Sequence, residues 1–310
     1  MNLLDAMRYL VALEQHRHFG RAASACHITQ PALSNALRAL EEELDVAIVR
    51  RGRSYEGLTP EGERVLASAN RLLREQELLR QDLHSGAGTP RGSLSIGAVP
   101  TTLPVAARFA AQLQARHPGI RPIVRSLSSH EIETGLENLS LDMGLGYIER
   151  SAKFSAVPQY AEEYFLLRRA AVGAGAPLHV GETVSWRTAA AMSLCLLTPE
   201  MHNRTILDAA FAQVGVEVLP AIETNSIVTV VLSVLDGEVG AVLPGALMAL
   251  VRGYKGLEAL PLREPEVRTP IGFMVAKGAR ASRALEAALL LANDAAWLRH
   301  AATQGGLLDA

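Results

Sequence analysis

The sequence predicts an α/β protein with an N-terminal all-α winged helix-turn-helix and a C-terminal α/β domain of two lobes. Three observations lead there. Residues 1–60 have helical apolar spacing, interrupted by one short hairpin-like segment. Residues 60–84 carry a single long helical pattern, closed by Ser-Gly-Ala-Gly-Thr-Pro-Arg-Gly at 85–92. From Leu94 to about residue 299, short β-rich runs alternate with amphipathic helices.

Size and composition suit that division. A chain of 310 residues, 49% hydrophobic and 20% charged, has room for two or three domains, each with its own core. It contains no run of roughly 18 apolar residues, and Asp5 precedes the first basic residue with no apolar stretch behind it. Neither a membrane span nor an export signal is expected, and the expected location is the cytoplasm. Cys26 and Cys195 are too few and too far apart for a disulfide framework or a zinc site. They read as small buried residues, with a redox-sensing thiol as the alternative. No cofactor or metal is expected. Net charge is uninformative: in residues 1–60 seven arginines (8, 17, 21, 38, 50, 51, 53) face seven acidic groups (5, 14, 41, 42, 43, 45, 56). A case for nucleic acid therefore rests on where the arginines sit.

The first helix should run from about Leu3 to Gln15, capped by Asn2, with Leu3, Met7, Leu10 and Val11 as its apolar stripe. Phe19, Ala22, Ala23 and Cys26 mark a short second helix with small residues where it packs. After a turn, Thr29 caps a third helix whose first turn accepts Pro31, because a missing N–H there is no loss. Leu33, Leu37, Leu40 and Leu44 give it one buried face. Gln30, Ser34, Asn35 and Arg38 populate the other, as a helix reading base edges and phosphates requires. Two β-like runs, 46–50 and 55–58, enclose an Arg-Gly-Arg-Ser turn and read as a wing. Arg50, Arg51 and Arg53 concentrate charge where its tip would meet the DNA backbone. Arg21, Thr29 and Pro31 complete the expected DNA-contacting set.

The stretch FGRAASACHITQPALSNALRALEEELDVAIVRRGRSYEGLTPEG, residues 19–62, resembles the DNA-binding region of LysR-type transcription regulators. The Ala-Ala pair, Thr-Gln-Pro-Ala-Leu-Ser, Leu-Glu-x-x-Leu and Leu-Thr-x-x-Gly stand in that family's order and spacing. There are two departures: Ile48-Val49 replaces the usual Leu-Phe, and Asn35 stands where a longer side chain is frequent. The resemblance implies double-stranded DNA as partner, an effector domain with Rossmann-like lobes similar to periplasmic binding proteins, and a homotetramer. It covers nearly the whole chain, more diffusely beyond residue 62.

Thr59 and Pro60 open a helix expected to reach His84, ~37 Å long at 1.5 Å per residue. Val65, Ala69, Leu72, Gln76, Leu79 and Leu83 alternate at spacings of four and three, the seam of a coiled coil. It reads as a dimer helix, so the operator should be roughly palindromic; packing against its own domain is the alternative. The expected division is 1–60 for the DNA-binding domain, 60–84 for the linker helix and 85–93 for a hinge. Residues 94–162 with 269–300 then form one lobe, and 163–268 the other.

In the C-terminal part, strands at 94–99, 121–127 and 141–148 alternate with helices at 103–116 and 129–139, which implies a parallel sheet. Further strands are expected at 164–170, 194–198, 216–223, 239–244, 257–262 and 269–276. Helices are expected at 203–214, 226–236 and 281–299. Ligands of such sheets bind beyond the C-terminal strand ends, between lobes. That rule selects Pro100, Thr101, Thr102, Ser128 and Ser129 from one lobe, and Thr198, His202 and Asn225 from the other. Hydroxyls beside helix N-termini suit an anion, and a small organic acid is the expected effector class. By resemblance, Thr101 and Ser129 match effector-contacting positions; plain helix capping is the competing reading. Arg125, His130, Arg150 and Arg204 are candidate counter-charges.

No nucleophile elbow, dinucleotide fingerprint, P-loop or zinc-protease motif occurs, so an enzyme is not expected. Glu41-Glu42-Glu43 reads as a solvated helix end. The expected function is a regulator in which the effector alters the lobe arrangement, hence DNA bending and contact with RNA polymerase. An effector-independent or thiol-sensing regulator of the same fold is the alternative.

Overall fold

A computed structural model describes residues 2–51, 55–84, 90–150, 152–170, 178–278 and 280–303, and the chain forms two compact units. The first takes in residues 1–88 and 137–140. Helix α1 (Leu3–His16) starts where the Asn2 side chain accepts from the Leu4 N–H. It stops at Arg17, whose φ of 46° leaves the helical region. In α2 (Phe19–Ala25) the N-cap is His18, whose Nδ1 accepts from the Gly20 and Arg21 N–H groups. Thr29 caps α3 (Gln30–Leu44). Leu10, Leu13, Leu33, Leu40 and Ile48 form the shared core. Leu44 does not join them: it is 40% exposed in the last turn, and the helix ends before a neighbour covers it.

The wing pairs β1 (Val49–Arg51) with β2 (Tyr55–Leu58), antiparallel, with Val49 opposite Leu58. Residues 46–48, expected as strand, are not. The Glu41 carboxylate instead accepts from the Ile48 and Val49 N–H groups, at 2.8 and 3.1 Å. Glu41 is thus a clasp for the wing rather than part of a solvated acidic end. Helix α4 spans Pro60–His84. Thr59 Oγ1 accepts from the Gly62 N–H and donates to the Ala47 carbonyl. A Cβ on Gly62 would lie 2.1 Å from the Ile48 carbonyl oxygen, so the Leu-Thr-x-x-Gly motif marks a close helix–backbone approach. The expected coiled-coil seam is divided. Val65 and Ala69 pack into the first unit and Gln76 accepts from Arg8, whereas Leu72 and Leu79 remain exposed. The side chain of Leu83 lies outside the described residues.

The second unit, residues 89–136 and 141–310, holds both lobes. Lobe I begins β3 (Gly92–Ala98), α5 (Leu103–Arg116), β4 (Ile120–Ser126), α6 (Ser129–Glu137), β5 (Met143–Tyr147) and β6 (Phe154–Glu162). The chain passes at Glu163 into lobe II. There follow β7 (Tyr164–Arg169), β8 (His179–Val180), β9 (Val184–Ser185), α7 (Trp186–Ala190), β10 (Cys195–Leu197), α8 (His202–Gln213) and β11 (Ile222–Thr224). Next come α9 (Ile227–Asp236), β12 (Ala241–Pro244), α10 (Gly245–Val251) and β13 (Leu257–Arg263). Residues 264–268 return the chain to lobe I for β14 (Thr269–Ala276), α11 (Arg283–Ala292) and α12 (Ala295–Ala302).

Lobe I has the strand order β4-β3-β5-β14-β6, with β3 parallel to β4 and β5, and β14 antiparallel to β5 and β6. The parallel expectation therefore holds only for the first three strands. Lobe II has the order β12-β7-β13-β8, with β9 beside β13 and a separate parallel pair, β10–β11. Strand β6 escaped the sequence reading because Pro158 interrupts it. Pro158 is tolerated beside a bulge on an edge strand, where the register with β14 shifts between Ile271 and Gly272. Residues 216–221 are not strand, and the expected final helix is two, because Asp294 accepts from the Ala296 and Trp297 N–H groups and caps a new start.

Candidate functional site

Two sites emerge, one in each unit. In the first, α2, the turn and α3 form the helix-turn-helix. His27 adopts φ 57° in the turn, and the Ile28 N–H closes on the Ala23 carbonyl. Gln30, Pro31, Asn35 and Arg38 stand exposed along α3, with Ser34 half-buried. Thr29 and Arg21 are exposed too, but each makes a structural bond: Thr29 caps α3, and Arg21 donates to the His16 carbonyl at 3.0 Å. Arg50 is exposed; Arg53 and the side chain of Arg51 lie outside the described residues. The wing is anchored from behind. The Tyr55 hydroxyl donates to the Glu14 carboxylate, and its ring meets Phe19 edge-on at 6.1 Å. Burial and the Glu14 bond both push the Tyr55 phenol up.

In the second unit a narrow cleft of about 10 Å³ is lined from lobe I by Val99, Pro100, Thr101, Ser128, Ser129 and Tyr147. Lobe II contributes Leu197, Met201, His202 and Asn203. Five of the eight sequence-predicted residues come together here. Thr102, Thr198 and Asn225 are not among the lining residues. The Thr102 hydroxyl is turned to the Val99 and Leu145 carbonyls, Thr198 donates to Glu200, and Asn225 is exposed. Tyr147 and Asn203 escaped the sequence reading. Tyr147 closes β5, so the strand-end rule that selected Thr101 would have found it.

Three helical starts converge on the cleft: the 3₁₀ turn Pro100–Thr102 leading into α5, then α6 and α8. Helix N-termini carry partial positive charge and unpaired N–H groups. No side chain caps the 3₁₀ turn or α8. Ser128 is fully engaged by Glu131: its N–H and hydroxyl both donate to Glu131 Oε2 at 2.8 Å, and its Oγ accepts from the Glu131 N–H. Ser129 differs. Its hydroxyl is buried without a partner, while the buried Asn203 amide faces the Tyr147 and Tyr164 hydroxyls. A buried polar atom left unbonded is costly, so the Ser129 hydroxyl is the group a ligand would satisfy.

Thr101 Oγ1 lies 3.3 Å from the Tyr147 hydroxyl, and the Tyr147 ring meets His202 edge-on at 4.8 Å. Burial, and then Arg150, hold the His202 imidazole below its ordinary value, so it is neutral at neutral pH. Arg150 can only donate, so its 2.9 Å contact makes His202 Nδ1 an acceptor and puts the proton on Nε2. The same guanidinium pairs with Glu133 at 2.8 Å. Of the other candidate counter-charges, Arg204 is committed to Asp208, Glu223 and the Leu197 carbonyl, where it fixes the start of α8.

Residues 87–297 match the family model described as the LysR substrate binding domain. Residues 4–63 match the model for the lysR family of bacterial regulatory helix-turn-helix proteins. The chain is 29% identical over 280 residues to the DNA-binding transcriptional dual regulator OxyR of Escherichia coli, covering 90% of each chain. The hydrogen peroxide-inducible genes activator of Pectobacterium carotovorum is also 29% identical, over 90% of this chain and 91% of that protein. Among solved structures, a full-length Pseudomonas aeruginosa OxyR with a cysteine replaced by aspartate superposes with a TM-score of 0.68 at 26% identity. That match covers 92% of this chain and 95% of the other. CbnR complexed with its target DNA gives 0.65 at 19% identity, covering 96% and 99%, a likeness of fold.

Proposed function

The chain belongs to the LysR family of bacterial DNA-binding regulators, and from that premise we propose that a small organic acid, bound between its two lobes, controls how it holds DNA. The observation that carries this reading is the cleft itself. Three helical starts meet there, and the Ser129 hydroxyl lies buried beside them without a partner, next to the buried Asn203 amide. An anion accepts from helix-terminal N–H groups and from Ser129, while Asn203 selects among head groups by offering both a donor and an acceptor. Gln30, Ser34, Asn35 and Arg38 read the operator, and Arg21, Thr29, Pro31 and the wing arginines position the helix on phosphates. The exposed Leu72 and Leu79 pair α4 with a second copy, so two reading heads meet a roughly palindromic site; tetramers follow from pairs of such dimers. Effector binding shifts the lobe arrangement to the extent that it prefers one state, which changes DNA bending and access for RNA polymerase. The test is operator affinity of the full chain with and without small carboxylates. An acid that alters affinity in wild type but not in Ser129→Ala supports the reading; indifference to every acid overturns it.

A thiol-sensing reading is favoured by the relatives named for hydrogen peroxide. The side chains here oppose it. Among the described residues no cysteine lines the cleft, Cys195 is fully buried, and burial pushes both its thiol and that of Cys26 up, away from the reactive thiolate. Operator binding by Cys195→Ser and wild type should respond identically to peroxide. A response that vanishes in the variant would establish the thiol reading instead.

A further inference from the structure

Glu162 closes β6 where the chain leaves lobe I, and its side chain is completely buried. Its Oε1 accepts a long, 3.5 Å bond from the Tyr160 hydroxyl, while Oε2 has no partner. Among the described residues no arginine, lysine or histidine pairs with it. The walls come from both lobes. Tyr147 of β5 and Tyr160 of β6 belong to lobe I and Tyr164 of β7 to lobe II, and each phenol is pushed up first by burial and then by the Glu162 charge. The other groups nearby are Thr269 of β14, opposite Glu162 in register, and the uncharged Asn203 amide of α8. The charges of the crossing itself are already matched: Glu163 pairs with Arg263 at 3.2 Å and with Arg268 at 3.0 Å.

We propose that Glu162 is a proton-binding site built into the junction of the two lobes, so that their arrangement, and through it operator binding, responds to pH. With the lobes together, burial holds the carboxyl up to about 8 against an ordinary value of 4.5. Separating them removes one wall of the site and admits water, which restores the ordinary value. The closed arrangement therefore binds a proton that the open one releases. The closed-to-open ratio falls about tenfold per pH unit as pH rises from 4.5 towards 8, then levels once both arrangements are ionised. His202 works in the opposite sense. Its protonation places a charge against Arg150 and favours opening in acid, so it cannot mimic the effect.

The experiment uses the full chain with the proton as sole ligand. Spin labels on exposed Val228 of lobe II and Leu290 of lobe I, in a Cys26→Ser background, report the inter-lobe distance from pH 5.5 to 9. Wild type should lose its acid-favoured distance about tenfold per unit up to about pH 8, whereas Glu162→Gln should retain it throughout. A wild-type distance independent of pH, or an unchanged profile in Glu162→Gln, overturns the proposal. Should Glu162→Gln not fold, Tyr160→Phe decides. Losing the hydroxyl that helps hold the charge extends the profile to higher pH, and coincidence with wild type overturns the proposal. Failure here leaves the effector reading standing, because no effector enters the test.

Discussion

Ser128 and Ser129 are adjacent residues of one chemical type with different roles. Ser128 holds the start of α6 through Glu131, so Ser128→Ala should cost about 1 kcal/mol of stability in urea unfolding and leave ligand affinity alone. Ser129→Ala should leave stability nearly unchanged and weaken effector binding about tenfold, the worth of one hydrogen bond, by titration calorimetry. Glu162 gives the pH prediction. Its carboxyl is raised on folding from 4.5 to about 8, so the folded chain holds a proton that the unfolded chain releases between those values. Stability is then greatest below about pH 4.5 for this group and declines as pH rises towards 8. Glu162→Gln should therefore stabilise the protein by on the order of 3 kcal/mol at pH 7.5 and by nothing near pH 4.5. Thermal unfolding midpoints at the two pH values check both the size and the direction.

Elements are held by contacts that sequence patterns record unevenly. The wing depends on Glu41 reaching over to two backbone N–H groups, so Glu41→Ala should destabilise the first unit by about 2–3 kcal/mol, read from denaturant unfolding. Operator affinity should fall as well, since the wing loses its fixed position. Leu79→Lys should convert dimers to monomers in sedimentation experiments, because a charge replaces an exposed apolar knob of α4. Helices α1 to α5 were legible because their apolar spacing and caps (Asn2, Thr29, Thr59) are local signals. The clasp was not legible: seven residues separate Glu41 from Ile48, and nothing in an acidic triplet says which carboxylate turns inward. Strand β6 was lost to Pro158, whose acceptability depends on a bulge against β14, a strand more than a hundred residues later in sequence.

At the scale of the whole molecule, function rests on a DNA-reading unit and on two lobes joined by the crossings at Glu163 and 264–268. The strand-end rule found the lobe I side of the cleft well, since β3, β4 and β5 are parallel and present their C-terminal ends together. It did less well in lobe II, where the antiparallel sheet and the short β10–β11 pair place Met201, His202 and Asn203 at the cleft but not Thr198 or Asn225. Glu162 was invisible to pattern reading, because its meaning lies in walls drawn from three different strands. The central claim, that the cleft is an effector site for a small acid, is tested most directly by the thermal midpoint of the full chain across a panel of small mono- and dicarboxylates, with Ser129→Ala alongside. At ~100 times its Kd a ligand contributes about 2.7 kcal/mol, a rise of several degrees. The prediction is that at least one acid produces that rise in wild type and a clearly smaller one in Ser129→Ala. If no acid shifts wild type, or if both proteins shift equally, the cleft is not the site described.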